Sequence, residues 1–411
     1  MANKADCIII GGGASGLAAC AYLAAHGVKV ILLERLDRVG KKIMAAGNGR
    51  CNLSNVSMDA SFYAEAASFV SSVYRQTPPE EVHRFFASLG LMTTQEDGRI
   101  YPRTMMAASV LDVLRNACSS AHVRILTGSQ VKSLMPSRRG GWSVQLENGE
   151  GFFSPVVLCT AGGSAAPHLG TDGSGTAMLS SLGHSITPLH PALVQLRCDH
   201  PALRSLKGIR IQAALTLFAD DQAEAKETGE LLFADYGVSG VCVFQLSRFA
   251  AKALAAHRKI RLEINLLPEI PPQQIKAWLT DRILRMQGIP VRDLFTGVFP
   301  RLLIQAILRD ADLPADAPSE SLTTKQIDTL ARTVTSFTLP VTGTQGMKNA
   351  QVTAGGVCLD EIDPSTMASR LFDGLYLAGE VTDVDGPCGG YNLHYAFSSG
   401  LTAAKAIAAQ V

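Results

Sequence analysis

Unbroken apolar runs alternate with glycine-rich turns along this chain, and the first of them fixes how the rest is read. Residues 7–10 are a short apolar run, and residues 28–33 a second one interrupted only by Lys29. Between them lie the glycine knot Gly11-Gly12-Gly13-Ala14-Ser15-Gly16 and a small-residue stretch over 17–26 whose composition suits a buried helix. The pattern predicts strand, tight turn, helix, strand, closed by Glu34. Residues 58–119 then carry apolar positions at three-to-four spacing, predicting helices over 60–74, 80–89 and 107–118, with Pro78 and Pro79 cutting the first from the second. From residue 122 the period changes to that of strands, over 123–126, 130–134 and 141–146. Asn148-Gly149 supplies a hairpin turn, and the buried run 156–159 ends in Thr160-Ala-Gly-Gly163.

Alternating strands are expected again over 192–196, 209–218, 230–233, 241–244 and 259–264, predicting a β-barrel or sandwich. Residues 269 to about 337 read as helices punctuated by prolines. The chain then returns to the first pattern. Residues 355–360 are an extended arm, 374–378 a buried strand running into Gly379 and Glu380, and 389–409 a helix opening at Gly389-Gly-Tyr-Asn-Leu393. The fold expected is α/β: a Rossmann-type domain built from residues 1–190 and 341–411, interrupted by a β-barrel-like insert over 191–268 and a helical insert over 269–340.

The chemistry of the opening stretch follows from its mechanics. Gly11 permits the tight turn off the strand, Gly13 leaves room for a pyrophosphate against bare backbone, and Gly16 lets the helix approach the sheet. The N–H groups of Ala14 and Ser15 then stand at a helix N-terminus whose partial positive charge faces the phosphates. Glu34, 23 residues after Gly11, stands where a carboxylate accepts hydrogen bonds from an adenosine ribose, with Arg35 beside it. The next segment leaves the sheet at the cofactor. Its Lys42 and Arg50 are candidates for phosphate oxygens, Asn48 or Asn52 for a polar ring edge, and Cys51 for the same loop's cofactor contact.

Composition removes several alternatives. The nineteen uncharged residues 7–25 resemble a signal peptide or membrane anchor, but five of them are Gly or Ser and an intact βα pattern follows. With 37 Lys+Arg against 36 Asp+Glu the formal charge is +1, so no basic field awaits nucleic acid or a membrane surface. Nine scattered cysteines without a CxxC pair fit reduced thiols in a cytoplasm, and no zinc-ligand spacing is present, so no metal is expected.

The loop Ala46-Gly-Asn-Gly-Arg-Cys-Asn-Leu-Ser-Asn55 resembles the signature of a bacterial flavoprotein family that includes aminoacetone oxidase and 3-dehydro-bile-acid Δ4,6-reductase. So do Thr160–Gly163 with Gly170–Gly173, Gly229–Phe233 with Tyr236–Gly240, and Gly379-Glu380 through Asp383–Leu393. The resemblance spans nearly the whole chain and implies an oxidoreductase holding noncovalent FAD. In the two-dinucleotide-binding-domain flavoproteins it resembles, backbone near Val131 meets the adenine, Gly162 and Gly163 make a second cofactor contact, and Gly379 with Glu380 lies near the ribityl chain and phosphates. The N–H groups around Asn392 and Leu393 would point at the flavin's pyrimidine side. His394, Tyr391 and Cys388 are the candidate catalytic side chains, His394 as a proton donor.

Three classes of function stay open: an FAD enzyme acting on a small organic substrate as reductase or oxidase, a flavin protein acting on RNA, and a non-catalytic cofactor-binding protein. The favoured one is a reductase passing a hydride from NAD(P)H through FAD to the conjugated C=C bond of an enone, with a 3-oxo bile-acid or steroid-like, small and apolar substrate implied by the resemblance. No second GxGxxG follows a strand, so NAD(P)H is expected as a transient co-substrate entering the flavin's own cavity, which both inserts are expected to shape. An amine oxidase using O2 and a flavin-dependent RNA-modifying protein are the alternatives, with a non-catalytic cofactor-binding protein behind them.

Overall fold

Runs with no polar position to offer water form the centre of the first sheet. A computed structural model of the chain describes residues 4–138 and 140–411. Cys7–Ile10, Val30–Leu33, Val156–Cys159 and Leu375–Leu377 are buried on both faces, as strands of a parallel sheet covered on two sides are. With Val123–Leu126 they order Leu375–Leu377, Val156–Cys159, Cys7–Ile10, Val30–Leu33, Val123–Leu126, every neighbour parallel.

The register brings the carboxyl ends level. Ile10 pairs with both Leu33 and Cys159, and Cys159 with Leu377. Each ladder continues one residue past the strand ends, through Gly11 N to Leu33 O, Thr160 N to Ile10 O, Glu34 N to Leu126 O and Ala378 N to Cys159 O. Four turns therefore leave the sheet along one edge, where ligands of open α/β sheets bind. Helix Ala14–Ala25 and the C-terminal helix Tyr391–Gln410 pack together on this sheet. A Cβ on Gly400 would lie 2.5 Å from Ser15 O, so the absence of a side chain there sets their separation. The meander Val131–Pro136, Trp142–Leu146, Gly151–Ser154 forms as expected around the Asn148-Gly149 turn.

Residues up to His190 and from Gln351 form one compact unit, and Pro191–Ala350 a second. The second is a closed six-stranded barrel, in the order Leu196–Cys198, Gly237–Ser239, Gln222–Ala234, Arg210–Ala219, Ile260–Asn265, Phe337–Thr344. Its inward positions Leu215, Leu217, Leu231, Phe233, Leu262, Ile264, Phe337 and Leu339 are all but inaccessible to solvent. Ile275, Leu279, Leu303, Ile307 and Leu330, from helices Pro272–Arg285, Arg301–Asp310 and Thr324–Thr335, belong to that same hydrophobic core. The expected division at 268 therefore falls within one core, and the expected return at 341 falls inside Phe337–Thr344, the strand that closes the barrel. The strand expected over 241–244 is instead the first turn of helix Val241–Ala255. Gly240, at φ 118°, ends the preceding strand there, and Val243, Leu246 and Ala250 then bury one helical face.

Candidate functional site

The three glycines of the first turn do three different things. A Cβ on Gly11, where φ is 106°, would come within 2.4 Å of Thr160 O. One on Gly16 would come within 2.0 Å of Gly11 O, so this residue seats the helix against the strand turn. At Gly13 nothing lies within 4 Å. The middle glycine faces open space beside a helix that has Gly13 as its N-cap, no capping side chain and no acidic residue in its first turn. Ala14 is half-buried and Ser15 buried behind it, so the free N–H groups of the turn are the feature presented.

Glu34 is 8 % exposed and has a structural task of its own. Its Oε2 accepts from Gly12 N at 2.9 Å and its Oε1 from Leu36 N at 2.8 Å, tying the second strand's end to the glycine turn. An ionised carboxylate has about four acceptor positions, so two remain. Arg35 pairs with Asp172, turning its guanidinium to the loop after Gly170. Gly128 N and Ser129 N donate to Leu36 O and Glu34 O, which brings the chain to Val131 alongside the Glu34 turn. The ladder slips between Val131 and Ser133, a bulge that loosens backbone pairing there.

A polar clasp joins the other turns. Thr353 Oγ1 accepts from Ser164 N at 2.8 Å and Ala165 N at 2.9 Å, while Thr353 N donates to Glu380 Oε1 at 2.8 Å. Lys42 Nζ meets Glu380 Oε2 at 2.6 Å. Gly163 has its missing side chain against Thr353, and Gly162, at φ 74°, against Thr171. Gly379 N donates to Ser399 Oγ at 3.0 Å, and a Cβ on Gly379 would lie 2.1 Å from Ser15 Oγ. Glu380 thus follows a residue that touches the start of the first helix. Sequence reasoning missed Thr353, Ser399 and Thr160, whose hydroxyl donates to Gly11 O at 2.8 Å. Thr353 and Ser399 are lone hydroxyls without a motif; Thr160 carried a signal only by opening the Thr160–Gly163 turn.

The loop over 46–55 meets the start of the C-terminal helix. Asn55 Nδ2 donates to Gly389 O at 2.9 Å, and a Cβ on Gly390 would stand 2.3 Å from Ser54 O and 2.8 Å from Asn52 Oδ1. Asn52 Oδ1 is buried without a partner, whereas Asn48 is exposed at φ 55°. Of the two asparagines, Asn52 is the one with an unmet acceptor facing this junction. Arg50 lies 4.8 Å over the Tyr101 ring and 3.2 Å from Glu96, so its guanidinium is already engaged within the protein. Cys51 is fully buried at φ 57°, and burial pushes its thiol up to about 12, which leaves it protonated and unreactive.

Asn392 holds the glycine loop rather than reaching out from it. Its Nδ2 donates to Gly386 O at 2.8 Å and its Oδ1 accepts from Gly386 N at 2.8 Å. Leu393 is half-buried against the first unit's core. The helix still opens from Gly390 with neither a capping side chain nor an acid in its first turn.

The expected proton donor is placed otherwise. His394 is 0 % exposed, its Nδ1 lies 2.8 Å from Ser54 Oγ, and that hydroxyl also meets His83 Nε2 at 2.9 Å. Burial, with His83 nearby, drives its pKa down to about 3, so it is a neutral interior imidazole with no proton to give at neutral pH. Tyr391 is 6 % exposed, its ring packed at a tilt of 38° against Phe62 with centroids 4.6 Å apart and its hydroxyl 3.4 Å from Ser57 O. Cys388 is half-exposed in the loop the Asn392 clip holds.

A parallel sheet with its glycine turn, an anchoring acid after the second strand and a second uncapped helix at the same edge define a dinucleotide-binding fold of Rossmann type. The chain belongs to the family described as HI0933-like protein Rossmann domain, which it matches over residues 5–406. It is 40% identical over 403 residues to a 3-dehydro-bile acid delta(4,6)-reductase of Clostridium scindens, covering 97% of this chain and 98% of the relative. It is also 27% identical over 408 residues to a ribosomal RNA dihydrouridine synthase of Escherichia coli, covering 98% of each. Among solved structures, 3-ketosteroid delta1-dehydrogenase from Sterolibacterium denitrificans superposes with a TM-score of 0.54 at 15% identity, over 100% of both chains, a likeness of fold.

Proposed function

We propose that this protein is an FAD-dependent oxidoreductase that reduces a C=C bond conjugated to a carbonyl in a bile-acid-like or steroid-like 3-oxo substrate, with NAD(P)H as the electron source. The observation that carries the reading is the 40% identity along 97% of the chain to a reductase named for that substrate class.

The residues present fit the cofactor. The open position at Gly13 before an uncapped helix suits a pyrophosphate, the spare acceptor positions of Glu34 suit a ribose, and the free N–H end of Tyr391–Gln410 suits an electron-rich ring edge. FAD bound there supplies two-electron hydride chemistry. The chain's own part is to hold and orient. Glu34 closes the glycine turn, Thr353 with Glu380 fixes the turn after the second glycine pair, and Asn392 fixes the loop before the last helix. Next to that helix start, Phe62 is 42% exposed on the Tyr391 ring, an apolar surface for a flat hydrocarbon skeleton.

The second reading, reduction of a uracil ring in ribosomal RNA, is favoured by the 27% relative. The chemistry is related, because dihydrouridine is uridine with its carbonyl-conjugated C=C bond reduced. The near-zero net charge weighs against a large RNA partner.

Anaerobic titration of the yellow protein decides among these. Bleaching by NADH or NADPH, followed by return of colour on adding a 3-oxo-4,6-diene steroid, is the expected result. Return of colour with an rRNA fragment alone would establish the RNA reading. Failure of both nicotinamides to bleach, with oxidation of aminoacetone in air, would replace the reductase by an oxidase.

A further inference from the structure

We infer that Lys42 is the counter-ion of Glu380, and that its purpose is to let a carboxylate stand beside the cofactor's pyrophosphate rather than to bind the phosphate itself. The inference rests on the FAD reading above. Its basis is the geometry of the clasp. Lys42 Nζ is 2.6 Å from Glu380 Oε2, and the other Glu380 oxygen is held at 2.8 Å by Thr353 N. The ammonium's further contact is Ala165 O at 3.5 Å, a carbonyl that also accepts from the Thr171 hydroxyl. Both side chains are largely covered, 26% and 19% exposed, so their charges are screened less than those of a surface pair.

The carboxylate cannot simply turn away. Gly379, the residue before it, is pressed against Ser15 in the first turn of the diphosphate-facing helix, and its φ of 74° admits no side chain cheaply. A diphosphate brought to Gly13 would therefore enter the neighbourhood of a fixed negative charge. Lys42, from the short helix Lys41–Ala45, cancels that charge at its source. What the carboxylate provides in return is rigidity: it joins the strand at Thr353 to the turn at Glu380, and Thr353 in turn fixes Ser164 and Ala165.

A counter-ion and a phosphate ligand differ in the sign of their coupling, which a double-mutant cycle measures. Apoprotein variants Lys42→Gln, Glu380→Gln, the double variant and Lys42→Arg are titrated with FAD by fluorescence quenching, with far-UV circular dichroism confirming the fold of each. Lys42→Gln is expected to weaken FAD binding by about tenfold or more, since it leaves Glu380 uncompensated. Glu380→Gln keeps the Thr353 contact and should change affinity by no more than about threefold. The double variant should recover to within about threefold of Glu380→Gln, and Lys42→Arg should bind as the parent does. A double variant as weak as Lys42→Gln, or weaker, would overturn the inference and make Lys42 a direct phosphate ligand. Wild-type apoprotein that takes up no FAD would instead refute the cofactor reading itself.

Discussion

The two units solve opposite problems. The barrel of Pro191–Ala350 fills its middle with Leu, Ile and Phe and puts its charges outside, in pairs such as Arg258 with Asp220 and Glu224. The first unit keeps one edge of its sheet populated by backbone N–H groups, positive-φ glycines and tethered carboxylates, and leaves Gly13 facing nothing. A six-stranded barrel packed to its axis has no room for a ligand. The difference separates residues whose loss costs folding from residues whose loss costs binding, and it does so residue by residue.

The largest effect expected falls in the barrel. Phe233 is fully buried, edge-on to Phe337 at 6.5 Å. Phe233→Ala should destabilise the second unit by about 3–5 kcal/mol, as large-to-small core changes do. Flavin content of the protein that remains folded should match the parent's. Denaturant unfolding and the ratio of flavin to protein absorbance check both parts, and a folded but colourless variant would contradict the separation.

Within the glycine turn the comparison can be made at a spacing of three residues. Gly16→Val drives a Cβ into Gly11 O, which cannot yield, and should cost about 1–3 kcal/mol or more together with all bound FAD. Gly13→Ala meets nothing, at a φ of −86° that alanine adopts freely. Apoprotein stability should hold or rise by about 0.4–1 kcal/mol, because the unfolded chain loses freedom. FAD affinity should nevertheless fall, since the new methyl occupies the approach to the turn. Equal losses of stability in both variants would erase the distinction.

These glycines and Glu34 were legible because the βα turn is local: 28 consecutive residues, 7–34, carry the strand, turn, helix and acid in register. The clasp was not. Lys42 and Glu380 stand 338 residues apart and Thr353 meets Ser164 across 189, and nothing in either segment announces the other. His394 misled for a related reason. Its place in the first turn of the C-terminal helix was readable, but which way the ring points depends on Ser54 and His83, brought in from another part of the chain. Residues 241–244 misled differently: four apolar residues satisfy both periods, and only the eleven that follow decide for a helix.

His394 also gives the first unit a pH dependence the barrel's packing does not explain. Its pKa is lowered to about 3 in the folded chain, while the unfolded chain titrates near the ordinary value of about 6.5. Between those values the unfolded state holds the extra proton, so stability is full above about 6.5 and falls as pH drops, by up to about 1.4 kcal/mol per pH unit. Urea unfolding at pH 7, 6 and 5 should show the slope, and His394→Asn should reduce it, with His83, whose pKa burial also lowers, keeping a share. A parent profile that stays flat to pH 5 would mean the imidazole is not held neutral.

The smallest effect expected concerns Arg50, where a cation in the glycine-rich loop invites a phosphate reading. Its ion pair with Glu96 is open to solvent, at 39% and 50% exposure, and such pairs contribute about 0.2–1 kcal/mol. The stack on Tyr101, itself 2% exposed, adds a similar amount and is enough to hold the side chain where it lies. Glu96→Gln should therefore leave stability within about 0.5 kcal/mol and FAD affinity unchanged. Arg50→Ala should lower stability by about 1 kcal/mol through lost packing, with FAD affinity within about threefold of the parent at both low and high salt. A phosphate contact would show itself by the opposite pattern, a loss of tenfold or more that shrinks as salt rises. That outcome would move Arg50 from the scaffold of the loop to the binding edge, and would show that the edge extends further along the loop than Asn52.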